Sequence, residues 1–297
     1  MLTDFHITIV GGDARQIEII RKLTEMDATV SLVGFDQLDH GFAGATKKRL
    51  DELESETIDA IVLPVSGTNV NGEVETIFSN ETITFTEAFL KKTPGHCVVY
   101  TGISNEYLDR CAKGANRKLV KLFERDDVAI YNSIPTVEGA IMMVIQHTDI
   151  TIHGSNTVVL GFGRVGMSTA RAFAALGAKV KVGATRPRDL ARITEMGLQP
   201  FHLDEIEREV MDSDVIINTI PAPVLKANVI ANMQSHVLIV DLASTPGGTD
   251  FRYAEKRGIK ALLAPSLPGI VAPKTAGQII AAALVQLLTD DCKSRKE

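Results

Sequence analysis

Short apolar runs alternate with stretches whose apolar residues recur every three or four positions along this chain. Ile7–Val10, Thr29–Val33, Ile58–Leu63 and Cys97–Tyr100 are apolar and rich in β-branched residues. They end at glycine, proline or polar turns, which predicts buried strands. The intervening segments Arg15–Met26, Lys47–Glu54, Thr86–Lys91 and Glu106–Ala112 carry the helical period. Such alternation is the mark of a parallel sheet covered by helices on both faces. It stops between Asp126 and Asp149, where Thr136–Gln146 reads as one helix with Pro135 in its first turn.

The alternation then restarts. Thr157–Leu160, Lys179–Val182, Asp214–Thr219, Val237–Asp241 and Lys260–Leu263 are the expected strands. Arg164–Leu176, Arg188–Met196, Asp204–Met211 and Phe251–Lys256 are the expected helices. A last helix, Thr275–Leu288, is apolar enough to be buried and is expected to return to the first domain. Asp290–Glu297 is polar except for Cys292 and should fray. The pattern predicts an α/β fold of two Rossmann-like or flavodoxin-like domains with parallel sheets. They are residues 1–130 (with 275–297), a connecting helix at 131–150, and a dinucleotide-binding domain at 151–274, with the reactive end of the nucleotide expected in the cleft between domains.

Composition narrows the partners. The chain has 297 residues, 45% hydrophobic and 23% charged, with a net charge of −6, so a general nucleic-acid or anionic-membrane surface is not expected. No run approaches the roughly 18 consecutive apolar residues of a membrane span, and Met1–His6 lacks the basic start of a secretory signal. Three cysteines without CxxC spacing fit a reducing cytoplasm, and seven histidines without HxH or HExxH spacing predict no metal.

The sharpest motif is Gly161-Phe162-Gly163-Arg164-Val165-Gly166, between the apolar strand Thr157–Leu160 and an amphipathic helix. The first glycine permits a tight turn, the second lets backbone approach a pyrophosphate, and the third lets helix pack on strand. The acid that usually accepts the ribose 2′-hydroxyl about twenty residues on is replaced by Ala184. Thr185, Arg186 and Arg188 follow, a donor set suited to a 2′-phosphate, so NADP is expected over NAD. Asn218–Pro223, with Thr219 and Pro221, and Asp241–Gly248, with Ala243 and Ser244, fall at strand ends. They are expected to line the nicotinamide end.

From Pro135 to Gly277 the chain resembles the cofactor domain of D-isomer-specific 2-hydroxyacid dehydrogenases. It departs from them at Ser244, where that family has an arginine, and in Ala264–Gly269, where it has a histidine. Gly11-Gly12-Asp13-Ala14-Arg15-Gln16, Val33–Asp36, Leu63–Gly67 and Leu267–Gly277 make nearly the whole chain resemble the A-subunit family of bacterial dipicolinate synthases. That resemblance implies a mother-cell cytoplasmic enzyme of sporulation working with a flavoprotein-like B-subunit. It also implies dehydrogenation of a dihydro- or hydroxytetrahydro-dipicolinate to pyridine-2,6-dicarboxylate. A homo-oligomer is expected as well.

Aromatising a partly reduced ring needs a base, and holding two carboxylates needs cations or hydrogen-bond donors. Asp13 is a candidate base and Lys274 a second catalytic candidate. Arg15, Ser66, Thr68, Asn69 and Thr101 are candidates to bind the dicarboxylate. Each also has a structural reading, as cap, turn former or surface charge. An NADP-holding protein without chemistry of its own is the rival class, and a 2-hydroxyacid dehydrogenase with displaced catalytic groups is a third.

Overall fold

The computed structural model describes residues 1–39 and 41–294. The chain divides into two units, Met1–Tyr131 together with the chain from Ala272 onward, and Asn132–Val271. The first contains β1 (His6–Val10), α1 (Arg15–Glu25), β2 (Thr29–Val33), β3 (Ala45–Lys47), β4 (Ala60–Val62), the hairpin of β5 (Glu73–Val74) and β6 (Ile83–Thr84), α2 (Glu87–Lys92), β7 (Val98–Thr101), α3 (Glu106–Gly114) and β8 (Lys118–Lys121). The six main strands are parallel in the order β3-β2-β1-β4-β7-β8. Alternate residues of the central strands serve two cores. Ile7, Ile9 and Val62 pack with Ile19, Ile20 and Leu23 of α1, while Val10, Ile61 and Val99 pack with Phe89 and Leu108.

The helix expected over Lys47–Glu54 is absent. Ala45–Lys47 pairs with β2 as the edge strand, Lys48 continues the ladder to the Leu32 carbonyl at 2.9 Å, and only Leu50–Glu52 makes a single 3₁₀ turn. Leu50 and Leu53, three apart, imitate a helical face, but they pack on the core with Val33 and Phe89 from that short turn. Pro135 also lies inside its helix, not at the start, because α4 runs from Asp126 to His147. By length and composition α4 is apolar enough to cross a membrane, with mean hydropathy 1.5 over an 18-residue window, although polar residues break its apolar runs. Its Val137, Ala140 and Val144 are buried.

The second unit contains β9 (Asn156–Leu160), α5 (Arg164–Ala175), β10 (Lys179–Ala184), α6 (Pro187–Glu195), β11 (Gln199–His202), α7 (Ile206–Glu209), β12 (Val215–Asn218), α8 (Ala227–Ile230), β13 (Leu238–Asp241), α9 (Phe251–Lys256), β14 (Lys260–Leu263) and α10 (Leu267–Val271). Its six strands are parallel in the order β11-β10-β9-β12-β13-β14. Both sheets therefore follow the doubly wound Rossmann order, with the first strand at the switch point; the flavodoxin order occurs in neither.

The final helix, α11 (Pro273–Ser294), belongs to the first unit. Ile280, Leu284 and Leu288 enter the core built on α1. Backbones meet closely, since a Cβ on Gly277 would lie 2.5 Å from the Arg15 carbonyl oxygen. Tyr100 donates to Asp291 at 2.5 Å, which holds the helix beyond Asp290, where fraying was expected. Residues 295–297 of the expected fraying tail lie outside the described residues.

Candidate functional site

In the turn between β9 and α5 the three glycines sit in different surroundings. Gly161 has φ of +96°, and a Cβ there would lie 2.5 Å from Thr219 Oγ1. A Cβ on Gly166 would lie 2.2 Å from the Gly161 carbonyl oxygen, so helix and strand meet backbone to backbone. Gly163 is different. It caps α5 with no side-chain cap bond, and among the described residues nothing lies within 4 Å of the position its Cβ would take. Gly163 thus opens a 12-residue helix at its positive end with free space beside it, where a pyrophosphate could be held. Phe162 is buried beneath the turn, Val165 half-buried, and Arg164 exposed.

The first unit has the equivalent turn, but it is covered. Gly11 N donates to Val33 O at 2.8 Å, matching the bond from Gly161 N to Gly183 O at 2.9 Å. The next residue then diverges. Gly12 N donates to Glu75 O at 2.7 Å, and Ile77 N donates to Gly12 O at 3.0 Å. The chain beside β5 occupies the edge that a phosphate would need, so the open cradle is the one in the second unit.

Ala184 is buried at the end of β10, and Thr185, Arg186 and Arg188 are exposed beyond it. Both arginines share Asp189, which sequence reasoning did not single out. Arg186 Nε donates to its Oδ2 at 2.6 Å, and Arg188 Nε stands 3.6 Å from its Oδ1. Thr219 is half-buried and donates to Leu160 O at 2.8 Å, walling the glycine turn. Pro221 and Ser244 are exposed, and Ala243 is buried.

The candidates in the first unit do not converge on one pocket. Asp13 and Arg15 bind each other: Arg15 Nη2 meets Asp13 Oδ2 at 2.6 Å, Nε meets Oδ1 at 2.9 Å, and Asp13 Oδ1 also accepts Arg15 N. A ligand carboxylate could take Arg15 only by competing with Asp13. Ser66, Thr68 and Asn69 line a cavity of about 500 Å³ together with Glu73, Glu75 and Glu81. That lining brings three carboxylates and no lysine or arginine beside the turn. Asn69 is spent on its own turn, donating to Glu73 at 2.7 Å and accepting from the Asn71 and Glu73 amides. Thr101 is buried with its hydroxyl directed to the Pro64 and Ile103 carbonyls, which ties the turn. Lys274 lines a separate groove beside α1 with Glu18, Arg21, Lys22 and Glu25. No group of three or more metal-ligating side chains forms among the described residues.

Strand order, glycine turn and open helix terminus define the class. This is a two-unit α/β protein whose second unit has the nicotinamide-dinucleotide-binding form found in dehydrogenases. Residues 132–296 match the family model of the alanine dehydrogenase/PNT C-terminal domain, and residues 6–123 match that of the dipicolinate synthase A-subunit N-terminal domain. The chain is 63% identical over 290 residues to the dipicolinate synthase A-subunit of Bacillus subtilis (strain 168), covering 98% of both chains. A crystal structure of the dipicolinate synthase A-subunit from Bacillus halodurans superposes with a TM-score of 0.96 at 68% identity, over 97% of this chain and 99% of that one. This chain belongs to the dipicolinate synthase A-subunit family. Its fold extends further: a transhydrogenase from Sinorhizobium meliloti shares it with a TM-score of 0.69 at 14% identity, over 95% of this chain and 93% of that one.

Proposed function

We propose that this chain is the dehydrogenase component of a dipicolinate synthase, converting dihydrodipicolinate to pyridine-2,6-dicarboxylate with NADP, or alternatively NAD. A hydroxytetrahydro precursor is the alternative substrate, and it must also lose water. The observation that carries this reading is the open amide cradle at Gly163, in a family member matched over nearly its whole length. The ring loses a hydride and a proton as it becomes aromatic, and the bound nucleotide supplies the hydride acceptor.

Residues 161–166 hold the pyrophosphate by backbone amides, and Thr185, Arg186 and Arg188 read the 2′-phosphate. Arg15 is the cation offered to a carboxylate, in exchange for Asp13, and Lys274 is the second catalytic candidate. Asp13, whose side chain is 33% exposed against 8% for Arg15, is the reachable member of its pair and the candidate proton acceptor. A flavoprotein-like B-subunit is the partner, and the mother-cell cytoplasm of a sporulating bacterium the setting.

A second reading rests on Ser244 and on Ala264–Gly269, which place no arginine or histidine at the strand ends expected to face the nicotinamide. On that reading the chain holds nucleotide for chemistry completed elsewhere. Purified chain, nucleotide and dihydrodipicolinate without the B-subunit separate the two. The enzyme reading predicts reduced nucleotide from this mixture. Reduced nucleotide formed only after the B-subunit is added contradicts it and leaves the nucleotide-holding role.

A further inference from the structure

Asp241, at the carboxyl end of β13, is fully buried and faces four donors. Oδ1 accepts from Asn218 Nδ2 and from the Ala243 amide, both at 3.0 Å. Oδ2 accepts from the Gly248 amide at 2.8 Å and from Thr249 Oγ1 at 2.6 Å. Four converging donors call for acceptor sites on both oxygens, which only the carboxylate provides.

These donors belong to two loops. Ala243, Gly248 and Thr249 are in the loop leaving β13, and Asn218 ends the neighbouring strand β12. Asn218 holds its own loop by accepting from Ile220 N at 3.0 Å and donating to Ile220 O at 3.1 Å. The loops then join directly: Val224 N and Leu225 N donate to Gly248 O at 3.0 and 2.9 Å. A Cβ on Gly248 would sit 2.5 Å from Ala222 O, so the backbones are in contact. The result is one tied wall with a buried base at Ala243, Gly248 and Thr249 and an exposed tip at Ser244, Thr245 and Pro246. Thr219, bonded to Leu160 O, joins this wall to the glycine turn.

We propose that the buried Asp241 carboxylate is a positioning residue that fixes both strand-end loops as the nicotinamide-side wall of the dinucleotide site. It acts through Asn218, Ala243 and Gly248. The proposal rests on the nucleotide-binding reading of the second unit. An asparagine of the same shape offers one acceptor oxygen instead of two, so the donors on one side face an NH₂ group. Thr249 can rotate its hydroxyl away, but a buried backbone N–H cannot turn, and the loop base loosens.

The test titrates NADPH, or NADH if the wild type prefers it, into wild type, Asp241→Asn and Thr249→Val. The same proteins are titrated with the matching ADP-ribose, which lacks the nicotinamide. The proposal predicts that Asp241→Asn loses most of the change in dihydronicotinamide emission that accompanies binding, with about tenfold weaker NADPH binding, while ADP-ribose affinity stays within about twofold of wild type. Thr249→Val shifts the same readouts in the same direction by less, and carries the test alone if Asp241→Asn does not fold. Equal weakening of both ligands marks a merely structural role and overturns the proposal, as does no change in either. A wild type that binds neither ligand instead refutes the nucleotide reading beneath it.

Discussion

Arg186 donates to Asp189 at 2.6 Å, so the guanidinium offered to a 2′-phosphate already has an anionic neighbour. The pair is exposed on the arginine side, where such contacts are worth only about 0–1 kcal/mol. A charge-assisted bond to a phosphate is worth roughly 1–3 kcal/mol, so the phosphate wins the exchange. Arg186→Ala is therefore expected to weaken NADP about tenfold and leave NAD nearly unchanged. Ala184→Asp should move the preference toward NAD, because a carboxylate there repels the 2′-phosphate and accepts from the ribose hydroxyl. Calorimetric titration of both nucleotides checks this, and equal losses for the two would contradict it. At this scale the glycine turn was legible because Gly161 and Gly166 leave no room for a side chain, while Gly163 keeps the helix start open. Asp241 and Asn218 were not, because a sequence does not show which buried polar groups meet. Thr101 and Asn69 looked like free donors for the same reason, and the folded turns consume them.

Strands at the centre of each sheet were legible as apolar runs because both of their faces are covered. The edge strands β3, β8 and β11 were not, since Ala-Thr-Lys, Lys-Leu-Val-Lys and Gln-Pro-Phe-His leave polar side chains outward. His6 opens β1 and links it to its neighbours. Nε2 lies 2.8 Å from Ser31 Oγ of β2, Nδ1 lies 2.8 Å from Thr57 Oγ1, and the backbone amide donates to Asp59. Burial, followed by the charge of Lys48, pushes its pKa below the ordinary 6.5, against the opposite pull of Asp59 and Glu54. The folded state thus favours the neutral ring. Its contribution is complete above pH 6.5 and is lost as pH falls from 6.5 through the depressed value. Thermal melts from about pH 7.5 to 5.5 should show a falling Tm that is shallower in His6→Gln. An identical slope in the variant would contradict the assignment.

The two units share one strand order and one kind of strand-to-helix turn, yet only one turn is open. Gly11-Gly12 and Gly161-Phe162-Gly163 look alike as sequence. What separates them is the segment Glu75–Ile77, remote in the chain, which hydrogen-bonds to Gly12 and has no counterpart over Gly163 among the described residues. Chemistry in the first unit was less legible still, because Asp13 with Arg15, Ser66–Asn69 and Lys274 fold into separate environments. The central claim, that a pyridine nucleotide lies over the turn of the second unit, is tested most directly at Gly163. Its φ of −84° suits any residue, and among the described residues nothing lies within 4 Å of an added Cβ, so Gly163→Leu should fold and melt like wild type. The leucine would stand where the pyrophosphate must approach the amides. Calorimetric titration should therefore find nucleotide binding weakened at least about hundredfold in the folded variant, whereas wild-type affinity in that same protein would place the nucleotide somewhere else.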